Sequence, residues 1–369
     1  MSHPTADVAV IGAGVVGLCS ALALADSGLD VILLADVRAG EASAAAGGIL
    51  DTGHGLATPE LTTLFRAARD RWPAFAADLQ ERTGVAVPVT RDGILELATT
   101  VHDAQRLERL ADADAHWLDA DALQALEPQL THPQGALHFQ HDGALNPLTL
   151  LKALKQAVGR HVHVRLIPQA VTRLAYGRPT DPVTLTLADR TEVSAVRVVI
   201  AAGAWSSGLS GVPMHLPVAP LRGQMMSVAS KALRHVVMLG SGYAIPRGDG
   251  RTILGVADDN AGFDTRHTDA GVATIRALAA AMLPSLGSAP MLNTWAGLRP
   301  MTRDGLPFIG PDPEVPSVIY ACGHGRNGIL LAPMTGALVA AAITGVAERP
   351  GANPFSPLRM ALPGVTGFS

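Results

Sequence analysis

The chain contains 369 residues, of which 48% are hydrophobic and 16% charged, and its formal net charge is −4. This composition predicts a globular protein with room for two subdomains, and it excludes a disordered chain. The small net charge and the scattered basic residues argue against nucleic acid as a partner. Cys19 and Cys322 form no Cys-x-x-Cys motif, which disfavours a zinc site or a disulfide relay and fits a reducing compartment. We therefore expect a cytoplasmic protein.

A glycine-rich turn lies close to the start of the sequence. The apolar strand 8–11 leads into Gly12-x-Gly14-x-x-Gly17, and an Ala/Leu-rich helix follows. The first glycine permits a tight turn, the second lets the backbone approach a pyrophosphate, and the third lets the helix pack on the strand. Amide groups at the helix start then face the phosphates. The pattern predicts a dinucleotide-binding β-α-β unit that is completed by a strand over 31–34.

Two features after this unit are candidates for ligand contact. An acidic residue at the end of the second strand usually binds the adenosine ribose, and Asp36 is the candidate. The small residues 41–50, which include Ser43, Ala46, Gly47 and Gly48, would give backbone amides access to a ligand, or they would simply begin a helix.

The rest of the chain alternates between helical and extended patterns. Apolar periodicity predicts helices over 61–83, 101–130, 148–158 and 270–283 and strands within 85–98 and 224–257. We also predict a meander of strands over 162–166, 171–174, 183–187 and 193–196, followed by a separate buried strand over 197–202. The uncharged segments 8–25 and 328–347 approach the length of a membrane span, but glycines and Pro333 interrupt them. We interpret both as buried in the protein, without stable membrane insertion.

The histidines and serines do not form a recognisable catalytic or metal-binding pattern. His161 and His163 are predicted on one face of a strand, and His138 lies near His141, as surface or core histidines commonly do. No metal site is predicted. Ser43 and Ser206 lack the strand-turn-helix context of a nucleophilic serine, so acyl transfer is not supported.

Several separate segments together resemble one family. They are 11–17, 43–47, 117–128, 199–206, 243–247, 295–300 and 323–333, and the last two are the most specific because they combine unusual residues in a fixed order. In these motifs the chain resembles the D-amino acid oxidase superfamily of FAD-dependent oxidoreductases, and within it the glycine oxidases of thiamine-thiazole biosynthesis.

The resemblance implies an α/β fold with two domains. A Rossmann-like FAD-binding domain with a parallel sheet would comprise residues 1–84, 140–215 and 295–369. A substrate domain on a mixed, largely antiparallel sheet would comprise residues 85–139 and 216–294. FAD would be bound non-covalently, since Cys322 does not match the cysteine that anchors flavin in monomeric sarcosine oxidases. The resemblance leaves a homo-oligomer open.

The resemblance also implies roles for individual residues. Arg299 would hold the substrate carboxylate with a bidentate fork, Tyr243 would add a hydroxyl, and Arg326 would help to place the substrate. The residues implied to line FAD are Gly12, Gly14, Val15, Val16, Gly17, Asp36, Ser43, Ala46, Gly47, Gly48, Val171, His324, Gly325, Arg326, Asn327, Gly328, Ile329 and Leu330.

Two positions depart from the family pattern. Ala35 stands where the family usually has a ribose-binding glutamate, and Asp36 would point to the other face of an ideal strand. Ser241, between Gly240 and Gly242, stands where glycine oxidase has a histidine. A smaller side chain there predicts a looser pocket and a changed substrate preference.

The implied reaction is the oxidation of a small amino acid by hydride transfer to flavin N5. The imino acid would hydrolyse to an oxo acid and ammonia or an amine, and dioxygen would become hydrogen peroxide. The nearest alternative is a dehydrogenase that passes electrons to a quinone or a protein acceptor. A tRNA-modifying flavoprotein is disfavoured by the few lysines, and a nicotinamide dehydrogenase would leave the motifs around Arg299 and Arg326 unexplained.

Overall fold

Two large sheets and the helices around them make up the described part of this computed structural model, which covers residues 5–53, 58–130, 134–178, 181–345 and 353–361. The strands are β1 (Thr5–Ile11), β2 (Val31–Leu34), β3 (Ile49–Leu50), β4 (Val89–Thr90), β5 (Ile94–Leu97), β6 (Ala115–Leu118), β7 (Ala136–Phe139), β8 (Gly143–Leu145), β9 (Val164–Ile167), β10 (Val171–Ala175), β11 (Val183–Leu187), β12 (Glu192–Ile200), β13 (Val218–Ala229), β14 (Val236–Leu239), β15 (Gly242–Pro246), β16 (Arg251–Asp259), β17 (Met291–Thr302), β18 (Phe308–Pro311) and β19 (Val318–Cys322). The α-helices are α1 (Val15–Asp26), α2 (Ala42–Ala45), α3 (Pro59–Asp70), α4 (Trp72–Thr83), α5 (Val101–Glu108), α6 (Ala120–Leu126), α7 (Pro147–Arg160), α8 (Asp269–Met282), α9 (Pro284–Gly287) and α10 (Gly328–Thr344).

The first sheet has a parallel centre, in the order β19-β12-β1-β2-β9. Antiparallel strands extend this sheet. Strand β11 pairs with the first half of β12, β10 pairs with β11, and β18 pairs with β19. Alternate residues of β1 enter two cores, with Val8 and Val10 facing the helices and Ala9 and Ile11 facing the opposite side. A central strand of a parallel sheet is therefore covered on both faces, as expected.

Helices α1 and α10 pack directly against each other beneath this sheet. A Cβ added to Gly336 would lie 2.6 Å from the carbonyl oxygen of Cys19, so the glycine is what allows the two backbones to approach. The contact brings together the helix that follows the N-terminal glycine turn and the helix that begins at Gly328. Both helix starts thereby lie at the same end of the sheet.

The second sheet has the strand order β17-β13-β16-β15-β14-β5-β7-β6. Its neighbours are antiparallel except for β14 and β5, which run parallel. A small sheet of β3, β8 and β4 accompanies the two large ones. The predicted α/β class, with one parallel sheet and one mixed, largely antiparallel sheet, is confirmed.

Two predicted helices are wrong in their extent. Residues 101–130 contain α5 and α6 but also strand β6, because Asp112 Oδ1 accepts the backbone N–H groups of Asp114 and Ala115 and turns the chain toward β7. The helix predicted over 61–83 is two helices, α3 and α4. Pro73 has no N–H for the hydrogen bond that would continue α3.

Two predictions about strands also need correction. Residues 192–200 form one continuous strand, β12, which pairs first with β11 and then with β19, so no break separates 196 from 197. Strand β9 pairs with β2 at the other edge of the sheet and is not part of the meander. His161 and His163 precede β9 instead of lying on a strand, and they approach Asp26 and Asp30.

The division into two domains stays a proposal. The boundary that we propose after residue 294 falls inside β17, which pairs along its length with β13 of the second sheet. Residues 1–4, 54–57, 179–180, 346–352 and 362–369 of the proposed FAD-binding domain and residues 131–133 of the proposed substrate domain lie outside the described residues. The last two positions of the apolar segment 328–347 are among them. Among the described helices, none combines the length and the apolarity needed to cross a membrane.

Candidate functional site

Two adjoining cavities form a continuous cleft. The first lies where parallel strands of the first sheet end, and Ile11, Leu34 and Cys322 are among its lining residues. The second has a volume of about 540 Å³, which is in the range of small-molecule sites. Ala42 and Ser43 line both cavities, so an extended ligand can occupy the two together.

The glycine turn forms the floor of the first cavity. Gly12 has a φ of +110° and donates its N–H to the Leu34 carbonyl at 2.7 Å. Gly14 is the N-cap of α1, which carries neither a side-chain cap nor an acidic residue in its first turn. Ser43 Oγ accepts the Val15 N–H at 3.0 Å, and a Cβ on Gly14 would lie 3.1 Å from this oxygen. A side chain at this position would fill the space at the helix start, so the cradle fits a pyrophosphate.

Asp36 lines the first cavity together with residues that were not predicted as site residues. Since β2 ends at Leu34, Asp36 lies beyond the strand and the alternation of an ideal strand does not fix its direction. Arg38 Nε lies 3.7 Å from Asp36 Oδ2, and its guanidinium stacks on the Trp205 ring at 5.3 Å. Gln169 is a further lining residue. Trp205 belongs to a motif of the resemblance, whereas no sequence signal pointed to Arg38 or Gln169.

The segment that leads into α10 contributes to both cavities. His324 lines the first cavity, and Gly325, Arg326, Asn327, Gly328 and Ile329 line the second. Burial lowers the pKa of His324 to about 3, and its Nε2 lies 2.9 Å from Thr335 Oγ1. The ring is therefore neutral and fixed to the helix. Asn327 is the N-cap of α10 without a side-chain cap bond, so this helix start also presents its positive end to the cleft.

Strands of the second sheet bring Tyr243 and Arg299 to the second cavity. On β17 the alternate residues Gly297, Arg299 and Met301 line it, as the period of a strand requires. A Cβ added to Gly223, on the neighbouring β13, would lie 2.6 Å from Arg299 Cζ. Glycine at position 223 thus makes room for the guanidinium, which lies flat on the strand.

A third charged side chain joins the two predicted arginines. Arg299 Nη1 donates to Asp258 Oδ1, and Arg326 Nη2 donates to Asp258 Oδ2 at 2.6 Å. The Asp258 side chain is 17% exposed and that of Arg299 is 16% exposed, so both lie largely inside the protein. Asp258 was missed because an acidic residue next to Asp259 gives no signal in the sequence.

Tyr243 stands beside this cluster. Its hydroxyl donates to Met225 Sδ at 2.8 Å. Burial raises the pKa of Tyr243, and the nearby Arg299 only partly opposes that effect. The phenol therefore stays protonated at neutral pH and acts as a hydrogen-bond donor.

Arg247 supports the wall of the second cavity from behind. It donates to the carbonyls of Leu145, at 2.9 Å, and Gly47, at 2.5 Å. Burial lowers the pKa of Arg247 to about 10, which still leaves it charged at neutral pH. Trp295 Nε1 donates to the Ala45 carbonyl at 3.0 Å. These bonds hold the small residues of the wall against the second sheet.

The structure brings the predicted site residues together around the two cavities, except for two residues that line neither cavity. Gly17 packs on the Gly12 carbonyl and lets α1 approach β1, the packing role expected of the third glycine. Leu330 lies in the core, where its carbonyl accepts the Trp72 Nε1–H at 3.1 Å. The other predicted residues line one cavity or the other, Val171 included. Within the described ranges, no three His, Cys, Asp or Glu side chains are grouped to hold a metal ion.

A cleft that starts at the carboxyl ends of parallel strands, on a glycine turn and a helix start, is the site of dinucleotide-binding α/β enzymes. Residues 7–342 match the family described as FAD dependent oxidoreductase. The glycine oxidase of Pseudomonas aeruginosa is 33% identical over 349 residues, which cover 92% of this chain and 94% of that protein. The bifunctional protein ThiO/ThiG of Synechocystis is 32% identical over 366 residues, which cover 96% of this chain and 54% of that protein.

The similarity extends to the fold. The crystal structure of glycine oxidase from Geobacillus kaustophilus superposes with a TM-score of 0.89 at 31% identity, covering 96% of this chain and 98% of that one. The chain belongs to the FAD-dependent oxidoreductase family of D-amino acid oxidase type. The predicted family, the enzyme class and the cofactor FAD are thereby confirmed. The glycine turn, the two helix starts and the small-residue wall are the parts of this chain that fit FAD.

Proposed function

We propose that this enzyme oxidises a small amino acid, namely glycine, sarcosine or a small D-amino acid. The products would be an oxo acid, ammonia or an amine, and hydrogen peroxide from dioxygen. The glycine oxidases among the relatives support this substrate class, and the likeness to ThiO/ThiG supports a place in thiamine biosynthesis.

The observation that carries the proposal is the position of Arg299. Its guanidinium lies in the wall of the second cavity, beside Tyr243 and between strands that are fixed by the sheet. A guanidinium binds a carboxylate through two parallel hydrogen bonds, which a lysine cannot form. Arg299 Nη1 already donates to one carboxylate of this chain, that of Asp258. A substrate carboxylate would bind there, and the Tyr243 hydroxyl would turn from Met225 Sδ to donate to it.

The protein residues would contribute orientation and electrostatics. FAD, when bound, supplies the acceptor for the hydride from the substrate Cα. Arg299 and Tyr243 would fix the carboxylate, and the wall around Ala46 and Gly47 would exclude bulky side chains and water. The start of α10 would stabilise negative charge that develops beside it on reduction. Since Tyr243 is protonated and His324 is held by Thr335, neither is a base in this scheme, and the substrate amine would bind in its neutral form.

The two cysteines support a non-covalent cofactor and a cytoplasmic enzyme. Burial raises the pKa of Cys322 to about 12 and that of Cys19 further above its usual range. Both thiols therefore stay protonated and unreactive at neutral pH. Both are also free, as expected in a reducing compartment.

The test is a steady-state assay of the purified holoenzyme with glycine, sarcosine and D-alanine, and with L-alanine as the control. Hydrogen peroxide and the reduction of an artificial dye would be measured in parallel. We expect peroxide from at least one of the first three substrates and none from L-alanine. Turnover with the dye alone would replace the oxidase by a dehydrogenase. No turnover in either assay, from a protein whose flavin is reduced by dithionite, would refute the amino-acid substrate.

A further inference from the structure

We propose that Asp258 is a specificity-determining residue, which occupies the place of a second carboxylate between Arg299 and Arg326. The site would then accept an amine with one carboxylate group and reject one with two. The inference rests on the proposed function in one respect, since it takes Arg299 as the group that binds the substrate carboxylate. Membership of the family does not by itself limit the substrate to amines with one carboxylate group, whereas this role of Asp258 does.

The geometry of the cluster supports this role. Each oxygen of Asp258 accepts from a different arginine, Oδ1 from Arg299 and Oδ2 from Arg326. Asp258 pairs with Gly223 in the register of β16 and β13, and Arg299 lies over the same glycine. The backbone of the sheet therefore fixes the carboxylate opposite the guanidinium. Arg326 comes from the loop before α10, lines the second cavity together with Arg299, and donates to the other oxygen of Asp258.

The charges around the cavity lead to the same conclusion. Arg299 and Arg326 carry two positive charges, and Asp258 offsets one of them. The cluster therefore keeps one net positive charge, which a single substrate carboxylate neutralises. A guanidinium has five N–H donors, and the bond to Asp258 uses Arg299 Nη1. The low exposure of Asp258 and Arg299 reduces screening by solvent. A second carboxylate beside Asp258 would meet a like charge at short range.

Another role for Asp258 makes a different prediction. If Asp258 only competed with the substrate for Arg299, its removal would strengthen the binding of every carboxylate equally. If Asp258 fills a second carboxylate position, its removal strengthens the binding of dicarboxylates far more than that of monocarboxylates. The ratio of the two affinities therefore separates the two roles.

The experiment compares the wild-type holoenzyme with Asp258→Ser, which removes the charge and leaves space for a second carboxylate between the two arginines. Isothermal titration calorimetry would measure the binding of propionate and malonate, neither of which has an amine to oxidise. We expect the affinity for malonate to rise about tenfold or more and that for propionate to rise less than about threefold. The ratio of kcat/KM for D-aspartate to that for D-alanine should rise in parallel.

Asp259→Ser is the matched control. Asp259 follows Asp258 on the same strand, and its carboxylate pairs with Arg222 at 2.7 and 2.8 Å. Consecutive residues of a strand point to opposite faces, so this variant loses the same charge without changing the cluster at Arg299. We expect it to leave both affinities unchanged. Asp258→Ala serves as a second shortened variant if Asp258→Ser does not fold, and thermal melting of each variant would establish folding.

The outcomes distinguish this proposal from the proposed function. Equal gains for propionate and malonate, no gain for malonate, or the same gain in Asp259→Ser would overturn the role of Asp258. A selective gain for malonate in a protein that oxidises none of the amino acids would uphold the carboxylate site and refute the reaction. A selective gain with the expected turnover would support both.

Discussion

The two cavities of the cleft are built by different parts of the polypeptide. The first is built on backbone groups and small residues around one continuous turn, 11–17, and on neighbouring strand ends, and a few larger side chains such as Arg38 and Trp205 complete it. The second is lined by the side chains of Tyr243, Arg299 and Arg326, and Asp258 bonds to both arginines. Strands and loops far apart in sequence bring these residues together. A site made of backbone holds what many ligands share, a phosphate, whereas a site made of side chains selects among ligands. Substitutions in the first cavity should therefore abolish the binding of FAD, and substitutions in the second should alter the preference among substrates.

The largest effects are expected at the glycine turn. In Gly17→Ala the added Cβ would collide with the Gly12 carbonyl oxygen, so α1 could not pack on β1 and we expect no folded protein. Gly14→Val adds its side chain at the helix start, next to Ser43, where the cradle is open to the cleft. We expect this variant to fold and to lack FAD. Circular dichroism and the flavin absorbance band measure the two effects separately.

A third glycine supplies the control for this pair. Gly159 lies in α7, and a Cβ added there meets open space. Gly159→Ala should therefore fold and retain FAD, with a slight gain in stability because alanine favours a helix. A Gly14→Val protein that is purified with its full content of FAD would contradict the proposal that this turn holds the pyrophosphate.

Substitution of Arg299 tests whether the second cavity selects the ligand. Arg299→Ala should raise the KM for the amino acid about a hundredfold, since it removes a charge-assisted bidentate contact. Arg299→Lys should recover only part of this loss, because the ammonium keeps the charge without the fork. The flavin spectrum should stay unchanged in both. Arg251→Ala, an exposed arginine of the same sheet, is the control, and equal kinetics in all these proteins would place the carboxylate elsewhere.

The contrast between the cavities also explains what the sequence could predict. The glycine turn is contiguous, so its geometry followed from local chemistry, and the structure places Gly12, Gly14 and Ser43 in one cradle. Tyr243, Arg299 and Arg326 came from the resemblance to a family. Asp258 came from neither, because its partners lie 41 and 68 residues away and only the pairing of strands brings them together.

The errors in secondary structure have the same physical origin. Strand β6 lies between two helices in a charged segment, and its extended form depends on pairing with β7. Strand β12 continues through residue 196 because β11 and β19 pair with its two halves in turn. The local periodicity of the sequence gives no information about the strands that pair with β6 and β12. A pattern predicts a strand well when burial alone decides it, as for β2, whose four residues are all buried.

The pH dependence of stability tests whether His324, which lines the first cavity, is neutral in the folded protein. Burial lowers the pKa of His324 from 6.5 to about 3 in the folded protein. Below pH 6.5 the unfolded chain binds a proton that the folded protein excludes, so the free energy of unfolding falls as the pH falls through this range. At pH 5 the loss should be about 2 kcal/mol relative to neutral pH. His324→Gln keeps a polar group near Thr335 and does not titrate, so its loss should be smaller by that amount.

Urea unfolding at pH 7 and pH 5 measures this difference. The comparison is made within each protein, so any constant effect of the substitution on stability cancels. An equal loss of unfolding free energy in the wild type and in His324→Gln would mean that His324 is protonated in the folded protein. The interpretation of His324 as a neutral ring bound to α10 would then be wrong.

The smallest effect is expected at Ser241, and it concerns selectivity within the second cavity. Ser241 lines the cavity between Gly240 and Gly242, so a larger side chain there would extend into the space for the substrate. Ser241→Leu should lower kcat/KM for D-alanine more than for glycine and change their ratio about fivefold, because a filled pocket penalises an extra methyl group. Ser285→Leu, the same substitution at an exposed serine of α9, should leave the ratio unchanged. An unchanged ratio in Ser241→Leu would place the substrate side chain away from β15, and the second cavity would then select through its charges alone.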